Sequence, residues 1–321
     1  MIGEISVTIK NRSNSYSFVL RRNITVLCGN SGTGKTTLYS MIREYERYGK
    51  QSGVTLSCQV PVTTLEGDNW LYELKNTRSS IVVIDEDSRF TISKEFADAV
   101  KKSDNYYLII SRNYLPNLPF SVDEVFELQG SKSKKFVNTY KQVHHMYDDP
   151  NPRHLPFVPE VIVTEDSRSG YKFFNSIAKN NNIECVSAKG KSNIYDTVKK
   201  YSHKDVVVIA DGAAFGPEMQ DLVELQKLSP RKIAIFLPES FEWIILSSGV
   251  LNNKDSHEIN VLNVKIDSSK YLSWEQYFTD LLIETTKDNE YMKYNKSKLM
   301  PFYLHSETVN SIKTVITGIK L

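Results

Sequence analysis

The chain has 321 residues, with 40 Lys plus Arg against 38 Asp plus Glu for a formal charge of +2, so no global field drives it onto nucleic acid or a membrane surface and any basic surface is local. A composition of 40% hydrophobic and 24% charged residues, with 18 Tyr and 14 Phe, excludes a disordered chain and provides core enough for two domains. Cys28, Cys58 and Cys185 are odd in number and far apart, which excludes a disulfide framework, argues against a zinc site and fits a reduced, cytoplasmic protein.

The N-terminus, MIGEISVTIKNRSNSYSF, alternates apolar and polar residues and has neither the basic nor the apolar region of a secretory signal. Its segments EISVTI and YSFVL predict strands, and the apolar run ITVLC predicts a buried one. A glycine-rich stretch follows and opens a helix predicted over roughly Lys35 to Tyr48. Further strands are expected at VTLSCQV, SIVVIDE, YYLIIS and VDEVFEL, with a helix at SKEFADAVKKS. Strands alternating with helices predict a mainly parallel sheet covered on both faces.

Between Asp148 and Glu160 the prolines Pro150, Pro152, Pro156 and Pro159 prevent regular structure, which predicts a linker. The pattern then restarts. Strands are expected at EVIVTE, IECVSA, DVVVIAD and KIAIFLPE, separated by helices at YKFFNSIAKN, SNIYDTVKKYS and PEMQDLVELQKL. Beyond Ser247, NVLNVKI reads as an edge strand, while SWEQYFTDLLIETT and ETVNSIKTVITGI have helical periodicity. No segment approaches the roughly 18 to 20 apolar residues of a membrane span. The expected organisation is α/β: a first domain over 1–147, a linker over 148–160, and a second, Rossmann-like α/β domain over 161–321 with a C-terminal helical extension.

The sharpest motif is Gly29, Asn30, Ser31, Gly32, Thr33, Gly34, Lys35 and Thr36, followed by Thr37. It satisfies G-x-x-x-x-G-K-[ST] between a strand and a helix, the context the motif requires. Such a loop turns consecutive backbone N–H groups inward around an anion, and the helix N-terminus adds partial positive charge. Lys35 is expected at the β- and γ-phosphates of ATP and Thr36 at Mg2+. The competing account is an ordinary glycine-rich turn with Lys35 solvated. In SIVVIDED, Asp85 ends an apolar run and is assigned to magnesium, and Glu86 is assigned to polarising the attacking water. The bland account of Asp85, Glu86 and Asp87 is that they cap the next helix.

This pair of motifs resembles the Walker A and Walker B pair of phosphate-loop ATPases in the additional-strand, catalytic-glutamate branch, over roughly Met1 to Gln129. In that branch a polar residue ending a further strand senses the γ-phosphate. The resemblance puts Ser111, Arg112 or Asn113 of YYLIISRN in that place, with Ser111 favoured by position and Arg112 as a charge stabiliser. The early strands are similar to the start of transporter-type and repair-type cassettes. An LSGGQ-like signature is missing, which disfavours a transporter motor.

In the second half, Glu165 and Asp166 end one strand run and Asp211 ends another. If those strands are parallel neighbours, Glu165 and Asp211 emerge together at the carboxyl edge and can hold Mg2+, which uses only one or two protein carboxylates. Over roughly Glu160 to Val250 the chain resembles the TOPRIM domain of topoisomerases, primases and nucleases of the overcoming-lysogenisation-defect family. The resemblance makes Glu165 the family glutamate and Asp211 the first aspartate of D-x-D. Ala213 stands where the second aspartate would be, and Glu239 and Glu242 offer oxygens from the next strand end. The bland account is a partner-binding sheet in which Asp166 and Ser167 cap a helix and Asp211 initiates a turn.

The cluster KSKKF with Tyr140 and Lys141 could touch phosphates, although such runs are more often solvated faces. His144 and His145 lack metal spacing, and Trp70, Trp243 and Trp274 read as packing residues. Two functions are expected. The first is an ATPase controlling a magnesium-dependent TOPRIM-like domain acting on nucleic acid, which the resemblance sets in defence against mobile DNA. The alternative is an ATP-dependent switch whose inert second domain binds a protein partner or a second copy of the chain.

Overall fold

The computed structural model describes residues 1–29, 31–112, 115–128, 136–138, 157–251, 266–267 and 269–321. The chain divides into two compact units, Met1–Lys141 with Leu262–Ser273, and Gln142–Val261 with Trp274–Leu321. Most of the proline-rich stretch lies outside the described residues, as do most of NVLNVKI, the lysines of KSKKF, and Asn113, Tyr140, Lys141, His144 and His145. The C-terminal half returns a segment to the first unit, where Ile2 bridges Asp267 in antiparallel fashion.

In the first unit, β1 (Ile5–Lys10) and β2 (Ser15–Leu20) alternate buried and exposed positions, as strands with one wet face do. They pair antiparallel. The expected strand VTLSCQV shrinks to β4 (Thr55–Ser57), which joins β1 in this small sheet. A six-stranded sheet forms separately, in the order β5-β6-β7-β3-β8-β9, from β3 (Ile24–Cys28), β5 (Val62–Leu65), β6 (Ile81–Ile84), β7 (Tyr106–Ile110), β8 (Val125–Leu128) and β9 (Phe136–Asn138). All of its pairings are parallel except β8 with β9. The parallel strands therefore end on one edge.

Period-two alternation sorts these strands onto two cores. Leu27, Ile81, Val83, Leu108 and Ile110 pack with Leu38 and Ile42 of α1 (Lys35–Tyr48) and with the inner face of β1 and β2. Val26, Val82, Ile84 and Ile109 pack instead with Trp70 and Leu74 of α2 (Trp70–Asn76) and with Phe96 and Val100 of α3 (Lys94–Lys101). Covered on both faces, the central strands read as unbroken apolar runs.

The second unit holds four parallel strands in the order β11-β10-β12-β13: β10 (Val161–Thr164), β11 (Glu184–Ser187), β12 (Val206–Ile209) and β13 (Ile233–Phe236). The chain leaves β10 to one side for β11 and returns to the other for β12, so β10 and β12 flank the topological switch point, the ligand crevice of open α/β sheets. Around it run α4 (Ser169–Asn180), α5 (Ile194–Lys199), α6 (Met219–Leu228), α7 (Phe241–Ser247), α8 (Trp274–Thr286) and α9 (Ser306–Lys313). Phe173, Phe174 and Phe241 pack ring to ring between α4 and α7, with centroids 5.3–6.0 Å apart.

Gly212 follows β12 with its backbone pressed on the next loop, where its N–H donates to the Pro238 carbonyl at 2.6 Å. A Cβ at this position would lie 2.6 Å from the Leu237 carbonyl oxygen and 2.9 Å from that of Pro238, atoms of main chain that cannot rotate aside. Gly212→Ala is therefore expected to destabilise the second unit by ~1–3 kcal/mol, read as a fall in the urea midpoint at constant m.

Candidate functional site

At the carboxyl end of β3 the chain turns through Gly29, Gly32 and Gly34, with φ of 120°, 80° and 103°. These are left-handed values that side-chain-bearing residues rarely adopt. Asn30 lies outside the described residues; Ser31 and Thr33 complete the turn. The small sheet braces it, since the Tyr16 hydroxyl donates to the Gly34 carbonyl at 3.0 Å. Lys35, only 4% exposed, folds back so that Nζ donates to the Gly29 carbonyl at 2.6 Å. A buried ammonium over a glycine loop is poised for an anion. Burial pushes the Cys28 thiol beside it up to about 11, against the pull of Lys35, so it stays neutral.

Thr36, at the start of α1, and Asp85, immediately after β6, line one cleft of about 550 Å³ together with Tyr39, Arg43, Glu66 and Phe90. Asp85 Oδ1 is buried without a hydrogen-bond partner, and burial followed by the charges of Asp87 and Glu86 raises its pKa. An orphaned carboxylate oxygen on a residue that shares a cleft with a threonine fits a hard divalent cation. Neither Asp85, Glu86 nor Asp87 caps α3, whose N-cap is Ser93, accepting from the Phe96 N–H at 3.1 Å.

β7 lies between β3 and β6, and its end brings Ser111 and Arg112 to the same edge. Ser111 is buried and its N–H donates to the Leu27 carbonyl at 3.2 Å. Arg112 grips Glu86 with two contacts: Nη2 donates to Oε1 at 3.1 Å and Nε stands 3.0 Å from Oε2. The two residues that the sequence assigned to water activation and charge stabilisation thus meet as a forked ion pair.

In the second unit, Glu165 and Asp211 follow the neighbouring strands β10 and β12 and are tied together, the Asp211 N–H donating to Glu165 Oε2 at 3.1 Å. They line a small cavity, about 30 Å³, with Glu242 and Lys296. That volume admits one or two water-sized groups and no nucleotide. Glu242, in the first turn of α7, is 1% exposed. Its Oε1 accepts from the Tyr294 hydroxyl at 2.7 Å, while Oε2 has no partner. Burial, then the charges of Glu275, Glu165 and Glu242, raises Asp211 well above the usual carboxylate range. Burial pushes Glu165 up to about 7.

Some residues at this edge are structural. Asp166 accepts from the backbone N–H of Arg168 and Tyr171 at 3.0 and 2.8 Å and so caps the entry to α4. Asp211 also serves the fold, since Oδ1 accepts from the Phe241 N–H at 3.2 Å. Ala213 is buried, and Glu239 is not among the residues lining the cavity. Among the described residues no group of three or more His, Cys, Asp or Glu side chains forms a ready-made metal cage. The edge suits a single, partly hydrated ion on one or two carboxylates.

Tyr16, Glu66, Tyr294 and Lys296 are site residues that sequence reasoning missed. Glu66 carried a signal, a carboxylate ending the run VTTL, but it is engaged by the Tyr39 hydroxyl at 3.2 Å and by Arg43. The others have no local signature.

Because Glu165 is protonated in the fold up to about pH 7 against 4.5 for the ordinary group, its contribution is complete below pH 4.5 and lost as pH rises through 7. Wild-type stability should therefore fall across pH 5–7.5 relative to Glu165→Gln, by up to ~3 kcal/mol in urea unfolding; parallel pH profiles would contradict this. Compared with known protein families the chain matches no family model, and compared with curated proteins it matches none.

Proposed function

We propose that the chain is an ATPase of the additional-strand phosphate-loop kind whose nucleotide state controls a second, magnesium-dependent unit acting on nucleic acid. The observation that carries the ATPase reading is the strand order: one strand, β7, intervenes between the glycine-loop strand β3 and the acidic strand β6. With all three parallel, Lys35, Thr36, Asp85, Glu86, Ser111 and Arg112 share one edge. The loop amides and Lys35 bind the triphosphate; Thr36 and Asp85 hold Mg2+, which neutralises phosphate charge when bound. Glu86 orients water and accepts its proton, and Ser111 reads the γ-phosphate. Arg112, freed from Glu86, offsets charge on the leaving oxygens.

The second unit's part rests on Glu165 and Asp211 flanking the switch point, with the unpartnered Glu242 oxygen in the same cavity. These oxygens fit one hydrated Mg2+, the chemistry of a single-ion phosphodiester site rather than a two-ion one, given Ala213. One observation favours the second reading, an inert unit that binds a protein partner or another copy of the chain: Lys296 already pairs with the acidic cluster. The setting is the cytoplasm. No described helix is long and apolar enough to cross a membrane.

Two experiments test this. Glu86→Gln should retain ATP and lose hydrolysis by about 100-fold or more in a steady-state phosphate-release assay; unchanged turnover removes Glu86 from its role. With Mg2+ or Mn2+, the intact protein should nick plasmid or degrade linear nucleic acid, and Glu165→Ala and Asp211→Ala should not. Cleavage indifferent to both substitutions, or none by the wild type, leaves the inert-partner reading.

A further inference from the structure

The acidic edge of the second unit crowds four carboxyl groups together. Glu165, Asp211, Glu242 and Glu275 surround one another closely enough that Asp211 feels the other three. Lys191 lies near enough to Glu165 to pull its pKa down, while the cation beside Glu242 and Glu275 is Lys296, whose Nζ lies 2.6 Å from Glu275 Oε1 and 3.8 Å from Glu242 Oε1. Lys296 also lines the cavity into which Glu165, Asp211 and Glu242 face. The Glu242 oxygen that no group satisfies belongs to a side chain only 1% exposed, so the cavity keeps a buried carboxyl oxygen that the lysine leaves unmatched.

We infer that Lys296 is a built-in competitor for a divalent cation at this edge, its ammonium neutralising the carboxylates until an ion displaces it. This rests on the reading of the edge as a metal site. The main chain around Lys296 is anchored. Its carbonyl accepts from the Ser169 N–H at 3.2 Å, and Asn295 Oδ1 accepts from Ser297 N–H at 2.8 Å. The side chain is free to leave by comparison: it is 30% exposed and has a flexible four-carbon stem. A tethered monovalent charge and a divalent ion in one small cavity repel each other strongly at low effective dielectric. Occupancy by metal therefore requires the ammonium to withdraw toward solvent. Anything that draws Lys296 outward, an anionic phosphodiester above all, then strengthens metal binding, which couples substrate arrival to ion loading.

The test is Mn2+ affinity of the full-length chain without nucleotide, in an Asp85→Asn background that silences the first unit's cation site, measured by electron paramagnetic resonance of free Mn2+. Lys296→Gln and Lys296→Met should bind Mn2+ tighter by about tenfold or more than the lysine parent, and Lys296→Arg should bind as weakly as the parent. A lysine that merely supports the site gives the opposite sign. Equal or weaker binding in the Gln and Met variants overturns the inference while leaving the metal reading intact; no binding in any folded variant overturns both. Should the substitutions unfold the unit, wild-type protein still decides. Lys296 labelling by an amine-reactive reagent, followed by mass spectrometry, should rise severalfold with Mn2+, and unaltered labelling at saturating Mn2+ contradicts displacement.

Discussion

Three glycines with left-handed backbone, Gly29, Gly32 and Gly34, impose the constraint on which the first unit's chemistry depends. A turn with these backbone angles carries the main chain from β3 into α1 in a conformation that side-chain-bearing residues rarely adopt. The surrounding architecture supports this turn. Tyr16 reaches from the small antiparallel sheet to hold Gly34, and Lys35 closes over the loop onto Gly29. The parallel alignment of β3, β6 and β7 then brings acids and a base to the same edge without any long insertion.

The second unit works on a different principle. Its strands place Glu165 and Asp211 side by side, and α7 and α8 add Glu242 and Glu275. The fold thus gathers carboxyl groups at and beside a small cavity, at a cost that Lys296 offsets in part. Raised pKa values for Asp211 and Glu165 express that cost. Well-packed apolar residues would serve stability at least as well, which makes the cluster a functional-site candidate. In the proposed reading both units use the carboxyl edge of a parallel sheet, one offering cations to phosphate and the other offering oxygens to a cation.

Much of the α/β fold was legible in the sequence. The runs ITVLC, SIVVIDE and YYLIIS are buried on both faces, and such strands announce themselves by continuous apolar residues. VTTL escaped notice because two threonines dilute its signal and Pro61 precedes it, whereas VTLSCQV looked longer than the three paired residues of β4. The short helices WLYELKN and FEWIILS lack the length over which helical periodicity can be read. Asp85, Glu86 and Asp211 stand at strand ends and could be singled out by position. Lys296, in YMKYNKSKLM, is indistinguishable by local pattern from the lysines around it. Its partners are distant in the chain, and only the folded sheet edge gives it a role.

The most direct measurement of the central claim is calorimetric titration of the intact chain with ATP and Mg2+. The account predicts a single saturable site that disappears in Lys35→Ala, since that substitution removes the buried ammonium over the loop while leaving the glycine turn in place. Absence of binding heat from any ribonucleoside triphosphate, with the folded protein verified in the same sample, would contradict it.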